Sequence, residues 1–421
     1  MSRQVSNNWS VEPIGDFISV LTDYTANGSF AALKENVTYY SSPNYAALVR
    51  TTDLEKSNFA PERFTDRKGF DFLRKSELFP GDIVIANVGS AGKAYRVPAY
   101  FLPMTLAPNM YLVKFSDKMH KDFAFQVITS DQFQESLLES CANTTLKAIN
   151  KSSFRNIEVA VPPLPEQQKI AAILSSVDDV IEKTRAQIDK LKNLKTGMMQ
   201  ELLTKGIGHT EFKDSPVGRI PLDWKVLPLE LIVEEVVDCE HKTAPYVESS
   251  EFLVVRTSNV RDGELVYDDM RFTTSEAFSE WTKRAVPSYG DVLLTREAPA
   301  GEACMVPAGV KLCMGQRMVL LRPKTDTVYP DYFSLYITSE LAKLAIYKLS
   351  VGTTVTRINI EDIKDIPCLV PSLKEQREIQ LKISSIQSMI NKSTFLLKSN
   401  EKIKKALMQD LLTGTVRVNV D

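Results

Sequence analysis

The chain contains the same unit twice, and that repetition restricts its fold more than any other feature. Pro162-Pro163-Leu164-Pro165-Glu166-Gln167-Gln168-Lys169-Ile170 returns as Pro371-Ser372-Leu373-Lys374-Glu375-Gln376-Arg377-Glu378-Ile379. The offset is 209 (371 less 162), and it holds without a gap to Leu202-Leu203-Thr204 and Leu411-Leu412-Thr413. Upstream the match thins but persists. Gly81-Asp82-Ile83-Val84 pairs with Gly290-Asp291-Val292-Leu293, Gly92 with Gly301, and Ile149-Asn150 with Ile358-Asn359. Leu48-Val49-Arg50-Thr51 pairs with Val254-Val255-Arg256-Thr257 at an offset of 206, so small insertions separate the copies. A period this long is no solenoid. It predicts two copies of one unit, each a globular domain beginning near a tryptophan (Trp9, Trp224) and ending in a long helix.

Residues 166–204 read as one helix, with apolar or small residues recurring at alternating spacings of four and three, the seam of a coiled coil. Ile170, Leu174, Val177, Ile181, Ile188, Leu191, Met198 and Leu202 carry the first seam. Ile379, Ile383, Ile386, Ile390, Leu397, Leu407 and Leu411 carry the second in the same phase. Both seams have the same polar positions, Thr184 with Ser393 and Lys195 with Lys404, and such residues fix register at some cost in stability. Ser372 and Glu375 make a capping box. Glu166 suits the positive helix end, and Gly206 and Gly414 suit the left-handed stop. Two equal seams predict that the helices bury each other as an antiparallel coiled coil with a pseudo-twofold axis, a rod of about 60 Å. Packing of each helix on its own domain alone is the weaker alternative.

The predicted fold class is α+β: two similar domains separated by the two long helices. The divisions expected are 1–163, first domain; 164–206, central helix; 207–220, a turn-rich linker; 221–371, second domain; 372–414, C-terminal helix; and 415–421, tail. Short strands are expected at 45–49, 83–86, 110–115 and 157–161, and at 252–255, 292–295, 318–321 and 368–370. One helix is expected late in each domain, near 122–140 and 330–348.

Polar loops follow the strands at matching places. Arg50, Thr51 and Thr52 correspond to Arg256, Thr257 and Ser258, with Asn259 following; the stretch with Asn87, Ser90 and Lys93 corresponds to the one opened by Arg296. Thr144, Thr145 and Lys147 correspond to Thr353, Thr354 and Arg357 at the same offset or one residue from it. Such side chains on loops bond phosphates and base edges. Any one of them alone is ordinary solvated surface; their recurrence singles them out as candidate DNA-binding residues.

Size and composition fit a globular protein: 421 residues, 43% hydrophobic, 25% charged. The polar start predicts no signal peptide. No apolar run reaches the length of a membrane span, and a cytoplasmic location is expected. Five widely spaced cysteines and three separate histidines predict reduced thiols and no metal site. A net charge of −2 shows no bulk basic excess, so nucleic-acid binding would depend on local charge placement. Gly89-Ser90-Ala91-Gly92-Lys93 is not a phosphate loop, because Asn87 and Ala94 stand where glycine and Ser/Thr belong. Neither a methyl-donor loop nor a hydrolase or nuclease motif is evident, and no catalysis is expected of this chain.

The doubled Pro-Pro-Leu-Pro-Glu-Gln-Gln-Lys-Ile element before a heptad helix, the Gly-Asp-Ile-Val and Gly-Asp-Val-Leu strand starts, and the Thr144–Asn150 and Gly352–Asn359 stretches resemble the specificity subunit of type I restriction–modification systems. In place of the usual glycine the first copy has Asn143, and Lys147-Ala148 stands where a basic-then-aliphatic pair is common. The resemblance implies a non-catalytic protein whose two domains each read half of an asymmetric, bipartite DNA target. The helices would set the spacer. It implies double-stranded DNA, two methyltransferase (M) subunits and restriction/translocase (R) subunits as partners. No cofactor is expected on this chain; S-adenosylmethionine would sit on the methyltransferase, ATP and Mg on the restriction subunit. The competing expectation is a two-module scaffold that binds proteins or glycans.

Overall fold

The structure, a computed structural model, describes residues 9–56, 58–140, 148–352 and 356–420. The chain divides into two compact units, Met1–Arg185 with Phe395–Asp421, and Ala186–Thr394. The division does not follow chain order. Each unit combines one globular domain with part of both long helices, Leu164–Lys205 and Leu373–Leu412.

In the first unit an antiparallel sheet runs in the order Ile18–Asp23, Met110–Phe115, Ile83–Ala86, Ala94–Arg96. A second sheet runs Phe64–Thr65, Ala46–Val49, Met104–Leu106, Glu77–Leu78, with its two middle strands parallel. The second unit repeats this plan. Val233–Asp238, Met318–Pro323, Val292–Thr295 and Ala303–Met305 form the antiparallel sheet. Arg271–Thr273, Phe252–Val255 and Lys311–Met314 form the other, again with one parallel pair. Even the irregularity is shared: the register slips between Ile18 and Val20, and between Val233 and Glu235. Ala46–Val49, Ile83–Ala86 and Val292–Thr295 are buried at every position, as expected of apolar runs without polar alternation.

The shared Gly-Asp pair builds a turn. Gly81 and Gly290 have φ of 84° and 94°, a conformation glycine adopts without steric cost. The following aspartates accept from Phe79 N and Ser288 N at 2.9 and 2.8 Å. Each then meets a cation on the neighbouring strand, Lys114 or Arg322.

The late helix expected in each domain is in fact two: Lys121–Thr129 then Asp131–Ser140, and Pro330–Ile337 then Glu340–Leu349. A serine causes each break. Ser130 and Ser339 leave the helical conformation, and their hydroxyls accept from Phe133 N and Ala342 N at 3.3 Å. A serine that caps a new helix competes with continuing the old one.

Both long helices dock through the same residues. In the first unit Glu166 and Gln167 are 3% and 1% exposed. Gln167 accepts from His120 N and donates to Lys118 O and Pro162 O at 2.7, 3.1 and 2.9 Å. In the second unit Gln376 accepts from Tyr329 N and donates to Thr327 O and Pro371 O at 2.7, 3.1 and 2.9 Å. The glutamine thus ties the long helix to the start of a domain helix. The preceding glutamate takes the tryptophan: Trp9 Nε1 donates to Glu166 at 3.1 Å, Trp224 Nε1 to Glu375 at 3.0 Å. The end of the other long helix completes the junction. Gly414 packs on the Trp9 ring and Gly206 on the Trp224 ring, with Arg417 bonded to Glu166 and His209 to Glu375.

Along the seams, Ile170, Leu174, Ile181, Ile188, Ile379, Ile383, Ile386, Ile390 and Leu411 are buried. Val177, Leu191, Met198, Leu202, Leu397 and Leu407 are half-buried. Thr184 and Ser393 are buried too, and Thr184 returns its hydroxyl to Val180 O at 2.7 Å. In the first unit Lys404 meets Asp178 and Arg185 meets Glu401, both at 2.6 Å, so the two helical segments run in opposite directions there. In the second, Lys195 donates to Gln387 at 2.7 Å. Lys195–Gln387 is the repeat equivalent of Lys404–Asp178, with an amide in place of the carboxylate.

Candidate nucleic-acid interface

In the first unit the described candidate loops lie side by side. Arg50 follows Ala46–Val49 and its turn is closed by Asp53, which is fully buried and accepts from Arg50 N and Nε at 3.0 Å. Thr51 is half-buried and Thr52 exposed on that turn. Glu55, at its far end, accepts from Lys93 Nζ at 2.7 Å and Tyr95 OH at 2.9 Å, which holds the 50–56 loop beside the 87–93 loop. Ser90 is exposed at the tip of the latter. Ile149 N donates to Asn87 O at 3.1 Å, which adds the 148–150 segment.

Asn87 is half-buried and its amide oxygen, shielded from solvent, has no hydrogen-bond partner among the described residues. It lines a cavity of about 450 Å³ with Tyr24, Phe30, Lys34, Tyr39 and Asn109. Most of that wall lies between Asp23 and Ala46, where the second unit has the shorter connection from Asp238 to Phe252.

In the second unit Arg256, Thr257 and Ser258 occupy the equivalent turn. Asn259 closes it from inside: its side chain is fully buried, accepts from Arg256 N at 3.2 Å and donates to Val266 O and Asp268 O at 3.1 Å. Arg296 is also turned inward. It is 9% exposed, donates Nε to Ile358 O at 3.2 Å, and bonds both Asp238 oxygens at 2.8 and 2.9 Å. Both residues, expected among the DNA contacts, spend their side chains within the fold, because a buried polar group must find a partner there. Arg357 is exposed, with Nη2 at 3.2 Å from Asn359. Thr144, Thr145, Lys147, Thr353 and Thr354 lie outside the described residues.

Equivalent positions carry different chemistry. Asn87 corresponds to Arg296 in the repeat, and Lys93 to Glu302, which accepts from Asp262 N and Lys343. Basic groups are interspersed with acids in both units, in keeping with the net charge of −2.

Sequence spacing left Cys239 and His241 apart from any cluster, but with Asp238 they place three ligand atoms within 4.8 Å. The guanidinium of Arg296 already covers both Asp238 oxygens, and a fixed positive charge there works against a cation. Burial pushes the Cys304 and Cys313 thiols up to about 12, which makes them poor nucleophiles. Among the described residues no helix is long and apolar enough to cross a membrane.

A doubled α+β domain on two long helices, with variable polar loops on each domain, defines a two-module recognition protein. Residues 6–193 and 233–405 match the family model of the type I restriction modification DNA specificity domain, and the chain belongs to that family. It is 27% identical to the type I restriction enzyme MjaVIII specificity subunit of Methanocaldococcus jannaschii, over 99% of this chain and 94% of that one. It is 22% identical to the EcoKI specificity subunit of Escherichia coli K12, over 91% and 83%. The fold resembles the type I S subunit of M. genitalium, with TM-score 0.57 and 14% identity, over 98% and 97% of the two chains. It also resembles a chain from a type I R-M system solved in work on complex assembly and conformational transition, with TM-score 0.55 and 16% identity, over 98% and 100%.

Proposed function

We propose that this chain is the DNA specificity subunit of a type I restriction–modification complex, and that each globular domain reads one half of a bipartite, asymmetric target. What carries this is a frame built twice with different loop chemistry: the same sheets, turns and helix junctions present Lys93 in one copy and Glu302 in the other. As a specificity subunit it is a non-catalytic component. Phosphate contacts position such a domain and base-edge contacts specify its sequence. Arg50, Thr51, Thr52, Ser90 and Lys93 are the contacts proposed for one half, with Arg256, Thr257, Ser258 and Arg357 for the other.

The long helices act as the spacer, paired as an antiparallel coiled coil; the buried seams and the opposed ion pairs within the first unit support that pairing. Two methyltransferase subunits dock on helices and domains and bring S-adenosylmethionine. Restriction subunits bring ATP and Mg. The domain limits follow as 1–163 and 221–371, with helices at 164–206 and 372–414.

Mapping of N6-methyladenine across the genome, with the gene present and deleted, tests this. Loss of one split motif with a fixed gap is the expected result. An unchanged methylation map, with the methyltransferase partner expressed and active, removes the proposal.

A further inference from the structure

Arg50 and Arg256 close equivalent strands, and each meets a carboxylate on the segment that leads into the neighbouring strand. Arg50 Nη2, already 2.6 Å from the buried Asp53, lies 3.0 Å from Glu62, and Arg256 Nη2 lies 2.9 Å from Asp269. Each acid also holds a second cation: Glu62 pairs with Lys56, and Asp269 lies 3.2 Å from Arg271. The second cation has a different origin in the two units. Lys56 belongs to the loop behind Arg50, whereas Arg271 opens the strand after Asp269. Duplication of the frame therefore does not account for the whole arrangement, in which one exposed carboxylate bridges two basic side chains.

Stability does not account for it either, because exposed ion pairs contribute little. Lys56 and Arg50 hold Glu62 below the usual carboxylate range, and Arg256 and Arg271 do the same for Asp269. Both acids are thus charged at neutral pH. In each unit a carboxylate thus lies between two cations beside the turn proposed to meet DNA, and cations so spaced can also share a backbone phosphate.

We propose that Glu62 and Asp269 stand in for DNA phosphate in the free protein: each occupies a pair of basic side chains, suppresses non-specific capture of duplex, and gives way to a phosphate when the domain seats on its half-site. This rests on the DNA-reading function above. It assigns the two acids to specificity, because a phosphate on random DNA must displace them without the compensating base contacts.

The test uses Glu62→Gln, Asp269→Asn and the double variant in the full chain, reconstituted with its methyltransferase partner. Binding is measured by fluorescence anisotropy on the mapped target and on random duplex, from 50 to 200 mM salt. Each single variant is expected to bind random duplex roughly three- to tenfold more tightly at low salt. Its log–log salt slope should steepen by about 0.9 for each phosphate gained, and the target-to-random ratio should fall. Unchanged or weaker random-duplex binding, at an unchanged melting temperature, overturns the proposal. So does a loss on target equal to that of Arg50→Ala, which would make the acid a positioner of the arginine. A wild-type complex that cannot tell target from random duplex removes the DNA-reading function, and this inference with it.

Discussion

Gln167 and Gln376 show what a repeated residue is for. Each satisfies three backbone groups at the joint between a long helix and a domain helix, with matching distances in the two units. Gln167→Ala strands those groups in a buried site, and a loss of about 3 kcal/mol is expected. Gln376→Ala should cost the same in the other unit; calorimetry showing less than about 0.5 kcal/mol for either would contradict the role. Beside it, burial pushes the Glu166 carboxyl up, but Arg417 and Trp9 outweigh that and hold it below its ordinary 4.5. A depressed carboxylate stabilises fully above its unfolded value and loses that contribution as pH falls through 4.5 toward the folded value. Acid titration of Glu166→Gln should show a flatter loss of stability below pH 4.5 than the parent. An equally steep acid limb would show that the junction does not depend on this charge. The sequence marked Glu166 as a repeated position but read it as a partner of the helix dipole. Trp9 and Arg417 are far from it in the chain, and no local pattern links them. For Asn259 and Arg296 the internal partners are equally hidden in the sequence: a polar residue after a strand looks alike whether it faces water or, as with Arg296 and Asp238, a charge 58 residues away.

At the scale of the element, the two lysines in the helical seams differ in what they meet. Lys404 has Asp178; Lys195 has the neutral Gln387. Burial holds the Lys195 ammonium below its ordinary 10.5 despite Glu264 and Asp262. The folded state therefore binds this proton less readily than the unfolded chain, and stability rises as pH climbs toward 10.5. Lys195→Met should raise the melting temperature at neutral pH by about 2 °C and remove that alkaline rise. Lys404→Met should lower it, because Asp178 loses its cation. Differential scanning calorimetry decides, and equal shifts in both variants would mean that the seam lysines are equivalent after all. The lengths and stops of these helices were legible from heptad spacing and from Gly206 and Gly414. The Ser130 and Ser339 breaks were less so, since a serine within an apolar period caps a new helix only when the tertiary contacts on both sides require a bend.

At the scale of the whole molecule, the spacer function predicts a length rule. Seven residues inserted at equivalent points of both long helices add about 10 Å of helix, roughly three base pairs of duplex at 3.4 Å each. The methylated motif should keep both halves and gain about three unread positions. Methylation mapping that shows the parental gap, or altered half-sites, would end the ruler interpretation. The doubled plan itself was readable from the sequence because both copies keep the residues that make turns and junctions. What each copy reads was not, because the polar loops are where the copies differ, as around the cavity of Tyr24, Phe30 and Asn87.

The first and last strands of each domain lie side by side. Ser10 pairs with Val161 through Pro13 with Glu158, and Lys225 with Val370 through Pro228 with Pro367. Among the described residues, the chain therefore enters and leaves each domain through adjoining strands, next to the tryptophan junction. A gene with this layout can have one domain cut out and another recombined in through two short seams, without retuning the helices. Exchange of one such cassette would give a new target in one event, faster than stepwise mutation of a binding surface would allow.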